Sequence, residues 1–137
     1  MTAPLLHRGA LADPSAAGFE RLFLRNGWSN SWRNGVYDWH HYHTTTHEVL
    51  GCHAGEAVVR FGGPSGEDHR LRAGDAVVIP AGLAHCRMEA SADFAVVGAY
   101  PGGAAPDLKR GAGEALDLPR PGADPVLGPG RGFAAPS

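Results

Sequence analysis

Residues 35–56 read Gly-Val-Tyr-Asp-Trp-His-His-Tyr-His-Thr-Thr-Thr-His-Glu-Val-Leu-Gly-Cys-His-Ala-Gly-Glu, and four of the chain's eight histidines fall between His40 and His47. His41 and His43 are two apart, and in a strand residues two apart point to one face. Thr44-Thr45-Thr46 can turn the chain, after which Glu48 can enter an adjacent antiparallel strand and bring a carboxylate beside the imidazoles. Two imidazoles and a carboxylate on one face suit a divalent transition metal. His47 neighbours Glu48 and points the other way; a turn one residue longer would make His47 the ligand instead.

Residues 74–89, Gly-Asp-Ala-Val-Val-Ile-Pro-Ala-Gly-Leu-Ala-His-Cys-Arg-Met-Glu, supply a third imidazole. A Gly74-Asp75 turn feeds an apolar strand from Ala76 to Ile79, Pro80-Ala81-Gly82 turns again, and His85 opens the next strand.

The two stretches resemble the paired motifs of the cupin superfamily. Gly35, His41, His43, Glu48 and Gly55 stand at the spacing of its first motif, and Gly74, Pro80, Gly82 and His85 at that of its second. Glu89 occupies a position where the family often has Asn. The motifs follow in order with 18 residues between them. The flanks, Asn-Gly-Trp-Ser-Asn-Ser-Trp-Arg-Asn-Gly and Val-Val-Gly-Ala-Tyr-Pro, further resemble the small single-domain YjlB-like group. The resemblance implies an all-β fold with one N-terminal helix: a double-stranded β-helix, or jelly-roll barrel. It also implies one divalent transition metal ion (Fe, Mn, Ni, Co or Zn) held by His41, His43, Glu48 and His85. Such a donor set leaves adjacent positions open on an octahedral ion and closes a tetrahedral one.

Three regions are expected: an arm and helix over residues 1–34, a barrel over 35–101 and an irregular Pro/Gly-rich strap over 102–137. The arm should pair on an outer strand. Asp13-Pro14 reads as a helix start and Asn26-Gly27 as its end, with Phe19, Leu22 and Phe23 forming an apolar stripe toward the barrel. Trp28 and Trp32 either seal that helix or line an entrance at the rim. A strand from Gly35 to His43 would turn Tyr37 and Trp39 inward with the histidines and His40 outward. Residues 48–53 and 56–62 read as a hairpin about Ala54-Gly55. Leu50, Cys52 and Arg87 join Tyr37 and Trp39 as cavity candidates, and Arg87 could hold a substrate carboxylate. Cys52 and Cys86 should face opposite ways and form no bridge. In the strap, Leu108, Leu116 and Leu118 are the expected anchors, with residues 129–137 loose.

Twelve basic and fourteen acidic residues give a net charge of −2. Nothing marks a nucleic-acid or polybasic membrane surface. No apolar run approaches the roughly 20 residues that span a bilayer, and no leader is visible, so a cytoplasmic location is expected. The functional expectation is a small metalloenzyme, either an oxygenase-like (dioxygenase-type) oxidoreductase or an isomerase, acting on a small polar molecule in the cavity. The alternative is a non-catalytic barrel that binds or senses a metal or metabolite. A homodimer is expected by analogy with related small cupins.

Overall fold

In chain order the elements are β1 (Leu5–His7), α1 (Ala16–Arg25), β2 (Trp28–Asn34), β3 (His41–Tyr42), β4 (Glu48–Ala54), β5 (Glu56–Phe61), β6 (Glu67–Arg72) and β7 (Ala76–Ile79). They continue with β8 (His85–Ala90), β9 (Ala95–Pro101), β10 (Lys109–Arg110), β11 (Ala123–Asp124), β12 (Gly128–Pro129) and a 3-10 turn at Gly132–Ala134. This is a computed structural model, and it describes residues 3–136. Two five-stranded sheets, β1-β7-β4-β9-β2 and β10-β3-β8-β5-β6, face each other as a jelly-roll barrel, with β11 and β12 forming a small separate hairpin. No described helix is long and apolar enough to cross a membrane.

The two sheets bury differently. β5 alternates between buried and half-buried residues, the pattern of a sheet covered on one face. In β7 all four residues are buried, and in β4 the run from Glu48 to Cys52 is buried throughout. That sheet is covered twice. Leu50, Cys52, Val77, Ile79 and Val96 pack inward against Val59, Phe61 and Leu71. Val49, Val78, Val97 and Ala99 pack outward against Phe19, Leu22 and Phe23 of α1 and against Phe133. The helix can come so close because β4 has no side chain at Gly51: a Cβ there would lie 2.6 Å from the Phe19 ring. The helix starts later than Asp13-Pro14 implies. Ser15 is the cap, its Oγ accepting from Gly18 N–H at 2.9 Å.

Several expectations need correction. Residues 35–40 are not strand. β2 belongs to the first sheet and β3 to the second, so this segment carries the chain across the barrel, and only His41–Tyr42 pairs. Strand parity therefore does not govern Tyr37 and Trp39: Tyr37 borders the cavity while 52% exposed, and Trp39 does not line it. β4 and β5 are not a hairpin. They lie in opposite sheets, and the chain passes between them at Gly55, whose φ of +66° suits glycine. Residues 28–34 form an edge strand on β9. Trp28 and Trp32 take different roles: Trp28 is buried beside Phe133 and donates to Ala123 O, whereas Trp32 lies across Gly98.

The strap is held only in part by the expected groups. Leu108 is 50% exposed, Leu116 and Leu118 are half-buried with Leu116 against the Gly82 turn, and residues 129–136 are anchored by Phe133, which is buried. The fully buried Asp124 organises this region. It accepts from Val126, Leu127 and Phe133 N–H and bonds His7 Nε2 at 3.0 Å, so one carboxylate joins both ends of the chain. Ser137 lies outside the described residues.

Candidate metal centre

His41 and His85 are directly opposed in the β3–β8 pairing, and their ring centroids are 4.0 Å apart. His43 follows just beyond β3. One nitrogen from each of the three rings lies within 4.8 Å of the others. Glu48 comes from the facing sheet rather than from a strand paired beside β3, and its Oε1 is 3.4 Å from both His43 Nε2 and His85 Nε2. The two stretches singled out in the sequence thus meet across the barrel interior.

The main chain sets the orientation of each imidazole. Nδ1 of His41 bonds Trp39 O at 2.9 Å, Nδ1 of His43 bonds Asp107 O, and Nδ1 of His85 bonds Leu83 O at 3.2 Å. A carbonyl can only accept, so each Nδ1 carries the proton and each neutral ring keeps its lone pair on Nε2. Electron-rich nitrogens and a carboxylate oxygen at these distances require positive charge among them. A proton on a ring can supply it, and so can a metal ion. The residues fit a metal because the backbone has already fixed the tautomer that metal ligation needs.

The electrostatics follow from burial and from Glu48. Burial pushes His41 down to about 4, with the neighbouring His85 adding to the effect. Burial would lower His43 too, but the Glu48 carboxylate outweighs it and the net shift is upward. Burial alone would raise Glu48; contact with His43 and His85 holds it well below the usual carboxylate range. Its second oxygen is also occupied. Tyr100 OH donates to Oε2 at 2.9 Å and accepts from Trp32 Nε1 at 2.7 Å. Oε1 is left as the atom facing the histidines.

His47 points away from this cluster. Its Nδ1 accepts from Ala81 N–H at 2.9 Å and its Nε2 bonds Pro119 O at 3.1 Å. With both nitrogens committed to the main chain, it does not compete with Glu48. A cavity of about 480 Å³ opens onto the cluster and is lined in part by Tyr37, Leu50, Arg87, Tyr100 and Leu108. Trp39 is not in its wall; it stacks on Tyr37 at 4.6 Å with the Arg110 guanidinium over its ring. Nor is Cys52, which is fully buried in the core, where burial pushes its thiol up to about 11. Both cysteines are free thiols.

Two contributors were not found from the sequence. Asp107 fastens the strap to the cluster: its carboxylate accepts from Thr44 N–H at 2.6 Å and from Thr44 Oγ1, while its carbonyl takes His43 Nδ1. Burial would raise its pKa, but the bonds from Thr44 and Thr45 outweigh that and bring it to about 2. Tyr100 stands near the end of β9 and reaches Glu48 from there. Neither residue has a local pattern that marks it.

Fold and site together define a cupin, and residues 32–93 match the family model described as Cupin domain. The chain therefore carries a cupin domain over those residues. It is 50% identical over 107 residues to Uncharacterized protein YjlB of Bacillus subtilis (strain 168), covering 78% of this chain and 64% of that protein. It therefore spans less than two thirds of that relative's length. Solved structures similar to it include the coconut allergen cocosin, with 21% identity and a TM-score of 0.49 over 58% of this chain and 23% of that one. A DUF861 family protein of Thermotoga maritima has 18% identity and a TM-score of 0.43 over 70% and 97% of the two chains. Acireductone dioxygenase from Bacillus anthracis, with a cadmium ion in its active centre, has 18% identity and a TM-score of 0.42 over 62% and 57%.

Proposed function

We propose that this cupin holds one divalent transition metal through His41, His43, His85 and Glu48, and that it acts as a metalloenzyme of the oxygenase or isomerase type on a small polar molecule. The observation that carries the reading is the convergence of three imidazoles, with tautomers set by the main chain, and one carboxylate at the wall of an open cavity. The mixed nitrogen and oxygen donors suit Fe, Mn, Ni, Co or Zn over Mg or Ca. When bound, such a metal supplies a Lewis acid and a template for substrate oxygen atoms. Leu50 gives the cavity an apolar wall, and the chain crossing at residues 34–37 and the strap at 106–108 flank it. Tyr100 and Trp32 hold Glu48 in a single orientation.

The test is metal analysis of the purified protein beside His41→Ala. The native protein is expected to carry close to one equivalent and the variant to lose most of it. Equal metal content in the two proteins ends the assignment. Turnover of small keto, enediol or phenolic compounds by the metal-loaded protein, abolished in the same variant, separates an enzyme from a barrel that only binds.

A further inference from the structure

We infer that the cavity takes a small organic anion, with its carboxylate on Arg87 and its planar or apolar part on the exposed faces of Tyr37 and Leu108. The inference deepens the proposed function by naming the ligand class, and it rests on that reading only for the ligand's second anchor, the metal.

Two guanidinium groups border the cavity, and they differ in what they already hold. Arg33 is committed: it donates to both oxygens of Glu20, at 2.8 and 2.7 Å. Arg87 is not. The acid beside it, Asp38, is 3.7 Å away, beyond hydrogen-bond reach, and that carboxylate is 71% exposed to water. Among the described residues the Arg87 side chain makes no hydrogen bond, yet only 38% of it is exposed. A half-buried guanidinium with uncommitted donors matches a planar carboxylate, which it can bind through two parallel bonds.

The acids in the same wall point to the same sign of ligand. Oε2 of Glu48 is taken by Tyr100 and Oε1 faces the histidines, where the proposed metal would sit, while Asp107 is engaged by Thr44 and Thr45. Neither carboxylate faces Arg87 as a partner for a cationic organic ligand. Arg87 lies two residues after His85, on the strand that carries the cluster, which sets the two side-chain origins roughly 7 Å apart along one strand. A molecule of a few carbons spans that distance. Arg87 N–H also donates to Tyr37 O at 2.9 Å, which fastens the Tyr37 segment beside it. Tyr37 and Leu108 are 52% and 50% exposed, and the Tyr37 ring is held by stacking on Trp39. They offer an ordered apolar surface next to the charge.

Benzoate and benzamide are the probes, because they share shape and differ in charge. Titrated into metal-loaded protein by calorimetry, benzoate is expected to bind saturably and benzamide at least tenfold more weakly. Arg87→Met is expected to weaken benzoate about tenfold or more while leaving benzamide unchanged, with Arg87→Lys in between. Thermal melts of both variants confirm folding, and metal content is measured in each. Equal binding of the two probes, or native benzoate affinity in Arg87→Met, overturns the inference. Arg87-dependent benzoate binding by chelator-treated protein supports it even if the metal assignment fails. A protein that retains its metal but ignores benzoate overturns this inference and leaves the metal assignment standing.

Discussion

The carbonyl of Asp107 accepts the Nδ1 proton of His43, so a residue of the C-terminal strap orients a side chain of the histidine cluster. The Asp107 carboxylate holds that segment in place through Thr44 and Thr45. Asp107→Ala keeps the carbonyl and removes the clamp. We expect metal affinity to fall about tenfold, the usual scale for loss of support behind a ligating histidine, with little change in melting temperature. Competition against a chromophoric chelator reads the affinity, and an unchanged value removes Asp107 from the site.

Tyr100→Phe deletes one hydroxyl that serves two groups. The Trp32 N–H loses its acceptor, and Glu48 Oε2 loses its donor in a nearly water-free setting. Unmet buried partners cost about 1–3 kcal/mol. The variant is expected to lose stability on that scale in urea denaturation of chelator-treated protein. In the metal-loaded protein it should also bind metal less tightly, because Glu48 is no longer confined to presenting Oε1.

His47 offers the opposite outcome. It sits beside Glu48 in sequence, but its ring bridges Ala81 and Pro119 behind the sheet and packs edge-on against Phe133. His47→Leu should destabilise the fold by about 1–3 kcal/mol through the unpaired Ala81 N–H while metal content stays native. A drop in metal content matching that of His41→Ala would place His47 among the ligands after all.

The contrast between His47 and Asp107 shows what could be read from the chain alone. The proposed metal donors are close together within two short stretches, and their spacing reflects local strand and turn geometry. The convergence of His41, His43, Glu48 and His85 was legible for that reason. Asp107 reaches His43 across 64 positions, and Tyr100 reaches Glu48 across 52; no periodicity records such contacts. Sheet membership was hidden too. Residues 48–61 look like a hairpin whether the strands pair or part, and the chain changes sheets at Gly55 only because each strand finds its partners elsewhere. Tyr37 and Trp39 alternate as strand residues do, but they lie in a crossing that makes only isolated main-chain bonds, such as Arg87 N–H to Tyr37 O, so strand parity does not hold along it.

Asp124 sets the expected acid sensitivity. Burial alone would raise its pKa, but His7 and three main-chain N–H groups outweigh that and hold it at about 2, against an ordinary 3.8. A carboxyl depressed in the folded state adds stability above its unfolded value, and that stability is lost as pH falls through the folded one. The difference corresponds to about 2 kcal/mol, fully present above roughly pH 4 and gone near pH 2. Chelator-treated native protein should therefore exceed Asp124→Asn in urea stability at pH 6, with the gap closing as pH falls from 4 to 2. A gap that does not vary with pH would mean that the ionised carboxylate is not what anchors the strap.

The two faces of β4 allow scaffold and site to be disturbed separately. Glu48 and Leu50 face the cavity, while Val49 packs outward and Gly51 lies directly under the Phe19 ring. A methyl group at Gly51 would sit 2.6 Å from two carbons of that ring and 2.9 Å from Phe23, so α1 must lift. Overpacking of this kind costs about 1–3 kcal/mol. Gly51→Ala is expected to lower the melting temperature while metal content and chelator competition remain native, because the barrel interior does not touch the helix. Shortening the obstructing ring in the double variant Gly51→Ala with Phe19→Leu should recover part of the loss relative to the sum of the two single changes. Additive losses, or a loss of metal in Gly51→Ala alone, would show that the helix supports the inner face of β4 as well as covering the outer one.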